Sequence, residues 1–261
     1  MGARAQVLAP VWRALIAVAA VANLVVAVGF AFQHAWAVQL WPWETGRLSH
    51  IFLGAMLAAI GAGAAWIAIS GEAGALPAGF LNLTVALGGI GGYLLLSVPE
   101  ERTLGVAVLV LALANLVLLV ITLRRTSPGG PRVPALVRVS NGVFTAVLAV
   151  VGLALILGAE QVMPWPLDPD TAVVFGWIFF GDAFYFALAT ARPHWDNART
   201  QLWSFLGYDA VLLVPLAGHL GDVGEDLLVN LVVYLAVLVF SAGLGLYYLV
   251  LNPRTRGWGG W

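Results

Sequence analysis

The chain has 261 residues, 61% of them hydrophobic and only 10% charged, where an ordinary soluble domain carries roughly 25% charged residues. Its 12 basic and 13 acidic residues cannot wet the surface of a soluble protein of this size, so lipid must be the solvent for much of it. All the basic residues are arginines, which excludes lysine Schiff-base chemistry. The absence of cysteine excludes disulfides, thiolate metal sites and cysteine nucleophiles, and a net charge of −1 with no basic run offers nothing to nucleic acid.

A helix needs about 20 apolar residues to cross the hydrocarbon core. Eight such stretches are predicted, near residues 11–33, 47–70, 77–98, 103–123, 134–158, 171–191, 201–220 and 227–251. Turn formers and charges separate them: Trp41-Pro42-Trp43-Glu44, Gly71-Glu72, Pro99-Glu100-Glu101-Arg102, Ser127-Pro128-Gly129-Gly130, Pro164-Trp165-Pro166, Arg192-Pro193-His194-Trp195 and Gly221-Asp222. The first stretch follows Arg4 and Arg13 and precedes Ala35-Trp36-Ala37, which resembles a signal-peptidase site. Its apolar run, residues 14–32, is longer than the core of about 7–15 residues in a signal peptide, so a retained helix is expected.

Arginine placement orients the spans. With the N-terminus in the cytoplasm, the inner segments hold Arg4, Arg13, Arg124, Arg125, Arg132, Arg138, Arg192, Arg199, Arg254 and Arg256. The outer segments keep Arg47 and Arg102 beside Glu44, Glu100, Glu101, Glu160, Asp168, Asp170, Asp222, Glu225 and Asp226. The positive-inside rule then predicts a cell-membrane protein with both termini cytoplasmic.

The chain also reads as duplicated. With Gln39 laid on Gln161, Pro42 falls on Pro164, Trp43 on Trp165, Ser49 on Thr171 and Gly54 on Gly176. Four helices per half make parallel repeats: residues 1–126, a cytoplasmic linker at 127–133, and residues 134–261. The Trp-Pro-Trp and Pro-Trp-Pro loops, each followed by a helix with a small residue one turn in, resemble those of a group of uncharacterised bacterial polytopic membrane proteins. The resemblance covers those loops and the helix pattern, and it implies no activity.

The chemistry-bearing residues stand out against this apolar ground. Asp182 and Asp209 fall inside predicted spans, where a charge costs roughly 2.5–3.5 kcal/mol at the bilayer centre. Each must face the bundle interior, either as a proton or cation site or polar-ligand anchor, or, as a structural alternative, in an interhelical hydrogen bond with Tyr185, Tyr208 or an asparagine. The repeat lays Asp182 on Ile60, so a site there is asymmetric. Asn23, Asn82, Asn115, Asn141 and Asn230 read as glue between helices. His34, His50 and His219 lie near the outer face and are candidate metal or haem ligands, although no ligand spacing supports them; His194 lies at the inner face. Trp36, Trp41, Trp43 and Trp165 are expected as outer-interface anchors, and Trp195, Trp203, Trp258 and Trp261 as inner ones. Gly88-Gly89-Ile90-Gly91-Gly92 implies close helix packing or a break.

The expected fold is all-α, an integral membrane bundle of eight transmembrane helices. The leading function is binding or transport of a small solute or ion between the repeats, with Asp182, Asp209, Tyr185 and Tyr208 as the candidate ligands. An accessory subunit bound to other membrane subunits is the alternative. A membrane-embedded enzyme ranks third, since no nucleophile–base set is visible. No cofactor follows from the residues, and the expected partner is the lipid bilayer, not nucleic acid.

Overall fold

The structure, a computed structural model, describes residues 8–126, 131–159 and 161–256. Arg4, Glu160, Trp258, Trp261 and the linker residues 127–130 lie outside the described residues. Among the described residues eight helices are long and apolar enough to cross a membrane. They are α1 (Pro10–Ala31), α2 (Arg47–Ser70), α3 (Leu76–Ser97), α4 (Arg102–Arg125), α5 (Ala135–Ile156), α6 (Pro169–Ala191), α7 (Trp195–Gly218) and α8 (Glu225–Leu246). A one-turn helix, Ala35–Val38, follows α1, and a π-turn, Tyr247–Leu251, extends α8. No strand occurs among the described residues; Arg132 and His194 form an isolated bridge.

The helices form two compact units. The mid-chain unit holds α3, α4, α5, α6 and residues 195–198 at the start of α7. The terminal unit holds α1, α2, the loop Met163–Asp168, the rest of α7 and α8. Each unit therefore takes helices from both halves of the sequence.

Small residues determine which helices approach closely, because lipid offers apolar side chains no hydrophobic gain and packing must supply the attraction. A Cβ added at Gly152 of α5 would lie 2.8 Å from the Gly176 carbonyl of α6, and one at Gly105 of α4 would lie 3.1 Å from that of Gly91 of α3. The glycine run of α3 is therefore packing surface within an unbroken helix. Gly89 receives the Trp177 ring of α6, Gly91 receives Leu109 of α4, and Gly88 and Gly92 face open space. In the terminal unit, α2 ends on Gly71 at φ 75°, a left-handed cap that a glycine adopts without Cβ strain. Arg13 serves the freed carbonyls there, with Nε donating to Ala68 at 2.8 Å and Nη2 to Ile69 at 2.6 Å.

Three expectations need correction. Helix α7 starts at Trp195, about two turns before the predicted residue 201, because its first two turns are polar yet buried. Trp165 and Trp195 are 3% and 1% exposed, so they are core residues and not interfacial anchors. Asn23 and Asn115 each donate from Nδ2 back to a carbonyl in their own helix, Ala19 and Leu111, and not across to a neighbour.

Candidate functional site

In the mid-chain unit α3 packs along α6, and the seam between them carries the polar chemistry. Asp182 stands on the same stretch of α6 as Gly181, whose missing side chain lets the helix lie 2.8 Å from the Asn82 carbonyl of α3, measured from an ideal Cβ. That approach brings Asn82 Nδ2 to donate to Asp182 Oδ1 at 2.5 Å. An arginine in that place would hold the carboxyl ionised. A primary amide is different, since its NH2 donates to a carboxylate and its C=O accepts from a carboxylic acid. The Asp182 carboxyl thus keeps a hydrogen bond in either protonation state.

Further along α6 the two directions differ. Toward the α6–α7 turn, Tyr185 OH donates to Asn197 Oδ1 at 3.2 Å. Beyond it lies a cavity of about 10 Å³, lined in part by Arg192, His194, Asp196 and Asn197, which is about the space for one water among polar partners. Gly74 belongs to this place as well, since a Cβ there would fall 1.7 Å from Asp196 Oδ2. In the opposite direction the Trp177 ring seats on Gly89 and fills the seam. Past it, Tyr93 OH donates to Asp170 Oδ1 at 2.5 Å. The Asp182 site therefore has polar company on one side and an aromatic plug on the other.

Asp209 sits in the terminal unit and is handled differently. It is 3% exposed, and both its oxygens lie 3.0 Å from Ser241 Oγ of α8. Ser241 is itself 2.9 Å from the Val237 carbonyl in its own helix. This is an interhelical clasp between α7 and α8. Tyr208, expected as a partner for the aspartates, has its hydroxyl hydrogen-bonded to that of Tyr234. Asp182 and Asp209 belong to different units, as do Tyr185 and Tyr208.

The histidines are dispersed. His34 is exposed, and His50 is 6% exposed with its ring stacked on Phe30 at 6.0 Å. His219 lies in a wide cavity at the end of α7. Among the described residues no three His, Asp or Glu side chains group to hold a metal ion.

Residues 195–202 form a continuous buried run, and hydropathy hid its polar members from the sequence reading. Arg199 Nη2 pairs with Glu72 Oε1 at 2.8 Å, and its guanidinium lies 5.5 Å above the Trp66 ring. Trp66 Nε1 in turn donates to Glu72 Oε2 at 3.0 Å. The signal was in the sequence, as an acidic residue after α2 and a basic one at the start of α7, but it read as two charged loops. Trp165, expected as an outer-interface anchor, makes the other buried polar contact of note. Its Nε1 donates to Ser49 Oγ at 3.0 Å, and its ring stacks on Tyr234 at 6.3 Å and tilts against Phe52 at 6.2 Å. The Pro-Trp-Pro loop thus pins α2 and α8 together within the terminal unit. Compared with known proteins, the chain matches no family model, no curated protein and no solved structure.

Proposed function

We propose that the chain is a tandemly duplicated multi-pass membrane protein that binds and passes protons at Asp182, with access from the cytoplasmic side. One observation carries the reading. A carboxyl within a membrane span has a neutral amide as its hydrogen-bond partner among the described residues, so it can take up or release a proton without losing its bond. A proton suits the pair better than a metal ion, because one carboxyl and one amide supply too few oxygens for a cation that takes 6–8, as calcium does. The Tyr185–Asn197 bond and the water-sized cavity lie on one side of Asp182, and Trp177 lies on the other. With the arginine bias placing the α6–α7 turn inside, the polar side is the cytoplasmic one.

Support for duplication comes from the helix starts. The offset that lays Gln39 on Gln161 carries Pro10, Arg47, Leu76 and Arg102 to within three residues of the starts of α5, α6, α7 and α8. The same pair of helices also crosses closely in each unit: Gly181 of α6 on Asn82 of α3, and Gly207 of α7 on Ala58 of α2.

The test is proton uptake by proteoliposomes after an imposed potassium diffusion potential, comparing wild type, Asp182→Asn and Asp182→Leu at equal folded yield. Asp182→Asn is expected to fold and to lose uptake at least tenfold. Uptake unchanged in both variants would sink the proposal.

A further inference from the structure

The terminal unit contains a second feature that Asp182 does not explain. A cavity of about 540 Å³ opens between the start of α2, the Pro-Trp-Pro loop and the last turns of α7. Pockets for small organic ligands run about 300–1,000 Å³, so this one has ligand size.

Its walls are built and fixed. Trp165 is held by Ser49 and Tyr234, as described, and forms one wall. Pro215 lies inside α7 and lacks the N–H that the Val211 carbonyl would receive; with Val214 it forms the other wall. The charged groups are Arg47 and Asp222, with the His219 imidazole beside them in the lining. Neither Arg47 nor Asp222 has an ion-pair partner among the described residues. One cationic and one anionic group around an apolar, aromatic wall match a ligand that carries both charges on a short carbon chain. A ligand of one sign would leave a like charge facing it.

The cavity lies where α2 begins and α7 ends, at the level of headgroups for a helix that crosses the bilayer. We infer that it binds an aminoalkyl phosphate, with the phosphate on Arg47 and His219 and the ammonium on Asp222 beside Trp165. That chemistry is shared by a phosphatidylethanolamine headgroup and by free phosphoethanolamine.

Two glycines make the inference testable without disturbing the packing. Gly46 and Gly218 both line the cavity, and a Cβ at either meets nothing within 4 Å. Gly218→Phe and Gly46→Phe should therefore fill the cavity and leave the helices in place. The full chain is purified in detergent and titrated with dihexanoyl-phosphatidylethanolamine and dihexanoyl-phosphatidylglycerol by native mass spectrometry, with thermal unfolding as the folding control. Wild type is expected to retain one phosphatidylethanolamine and to prefer it at least tenfold over phosphatidylglycerol. Gly218→Phe and Arg47→Gln should each weaken binding at least tenfold, and Asp222→Asn should erase the preference. Displacement by free phosphoethanolamine would assign the site to a soluble ligand, and its failure to displace would assign the site to lipid. Binding unchanged in both glycine variants, or equal binding of the two lipids to wild type, would overturn the inference.

Discussion

Among the described residues each unit carries one aspartate well inside a span, away from its ends, and the two are held in opposite ways. In the terminal unit Asp209 is only 3% exposed, with the Ser241 hydroxyl 3.0 Å from both its oxygens. In the mid-chain unit Asp182 is half-buried and takes one bond from Asn82. The terminal unit spends its polar groups on joining helices: Glu72 with Arg199, Trp165 with Ser49, Tyr208 with Tyr234. The mid-chain unit strings them along one seam beside a water-sized space. An intramembrane carboxyl thus signals function through the company it keeps more than through its position. A clasped one fastens helices; the one with a single exchangeable partner and polar groups to one side is the residue proposed to carry the proton.

The comparison breaks most visibly at Trp165. Trp165→Ala removes a buried ring and its bond to Ser49 and should cost about 3–5 kcal/mol. Trp43→Ala, at the position that the proposed duplication lays on Trp165, loses a ring contact with Trp41 at 5.2 Å and should cost about 0.5–1.5 kcal/mol. Thermal unfolding in detergent reads the difference, and equal losses would remove the pinning role of the loop. Next is the α3–α6 seam. Gly89→Leu drives a side chain into Trp177, whose ring would lie 2.0 Å from the new Cβ, and should destabilise by about 1–3 kcal/mol or more. Gly88→Leu, one residue away, points into open space and should leave folded yield unchanged by size-exclusion chromatography.

Smaller still is the clasp. Ser241→Ala should lower stability by about 0.6 kcal/mol, and at most by about 1.7 kcal/mol, with proton uptake unchanged. Asp182→Asn should be the mildest change in stability, under about 0.6 kcal/mol, because an amide at 182 can still bond to Asn82. A larger unfolding shift for Asp182→Asn than for Ser241→Ala would reverse the roles assigned to the two carboxyls.

Much of this was legible in the sequence, and the reasons for the rest are physical. Length and hydropathy located the spans, because crossing lipid demands a long apolar run wherever it occurs. The start of α7 escaped, since Asp196, Asn197, Arg199 and Gln201 read as a solvated loop until Glu72 and Tyr185 are known to meet them. Asp182 and Asp209 were both visible as costly residues, and an asparagine partner was among those foreseen for Asp182. What separates the two is that Asn82 and Ser241 sit 100 and 32 residues away, and hydropathy carries no record of which helices become neighbours. Tryptophan suits both an interface and a core, and the 3% exposure of Trp165 and its hydrogen bond to Ser49 decide between them. The aminoalkyl phosphate cavity was likewise hidden, as Arg47, Trp165 and His219 come from three separate stretches of chain.

The most direct measurement is carboxyl labelling with a hydrophobic carbodiimide in the membrane, followed by peptide mass spectrometry. The reagent adds to a carboxylic acid that it can reach while the acid carries a proton. One span adduct per chain is expected, on Asp182, lost in Asp182→Asn and declining as the pH is raised, with Asp209 unlabelled behind Ser241. Labelling of Asp209 with Asp182 untouched, or labelling of Asp182 that ignores pH, would contradict the proposed role of Asp182.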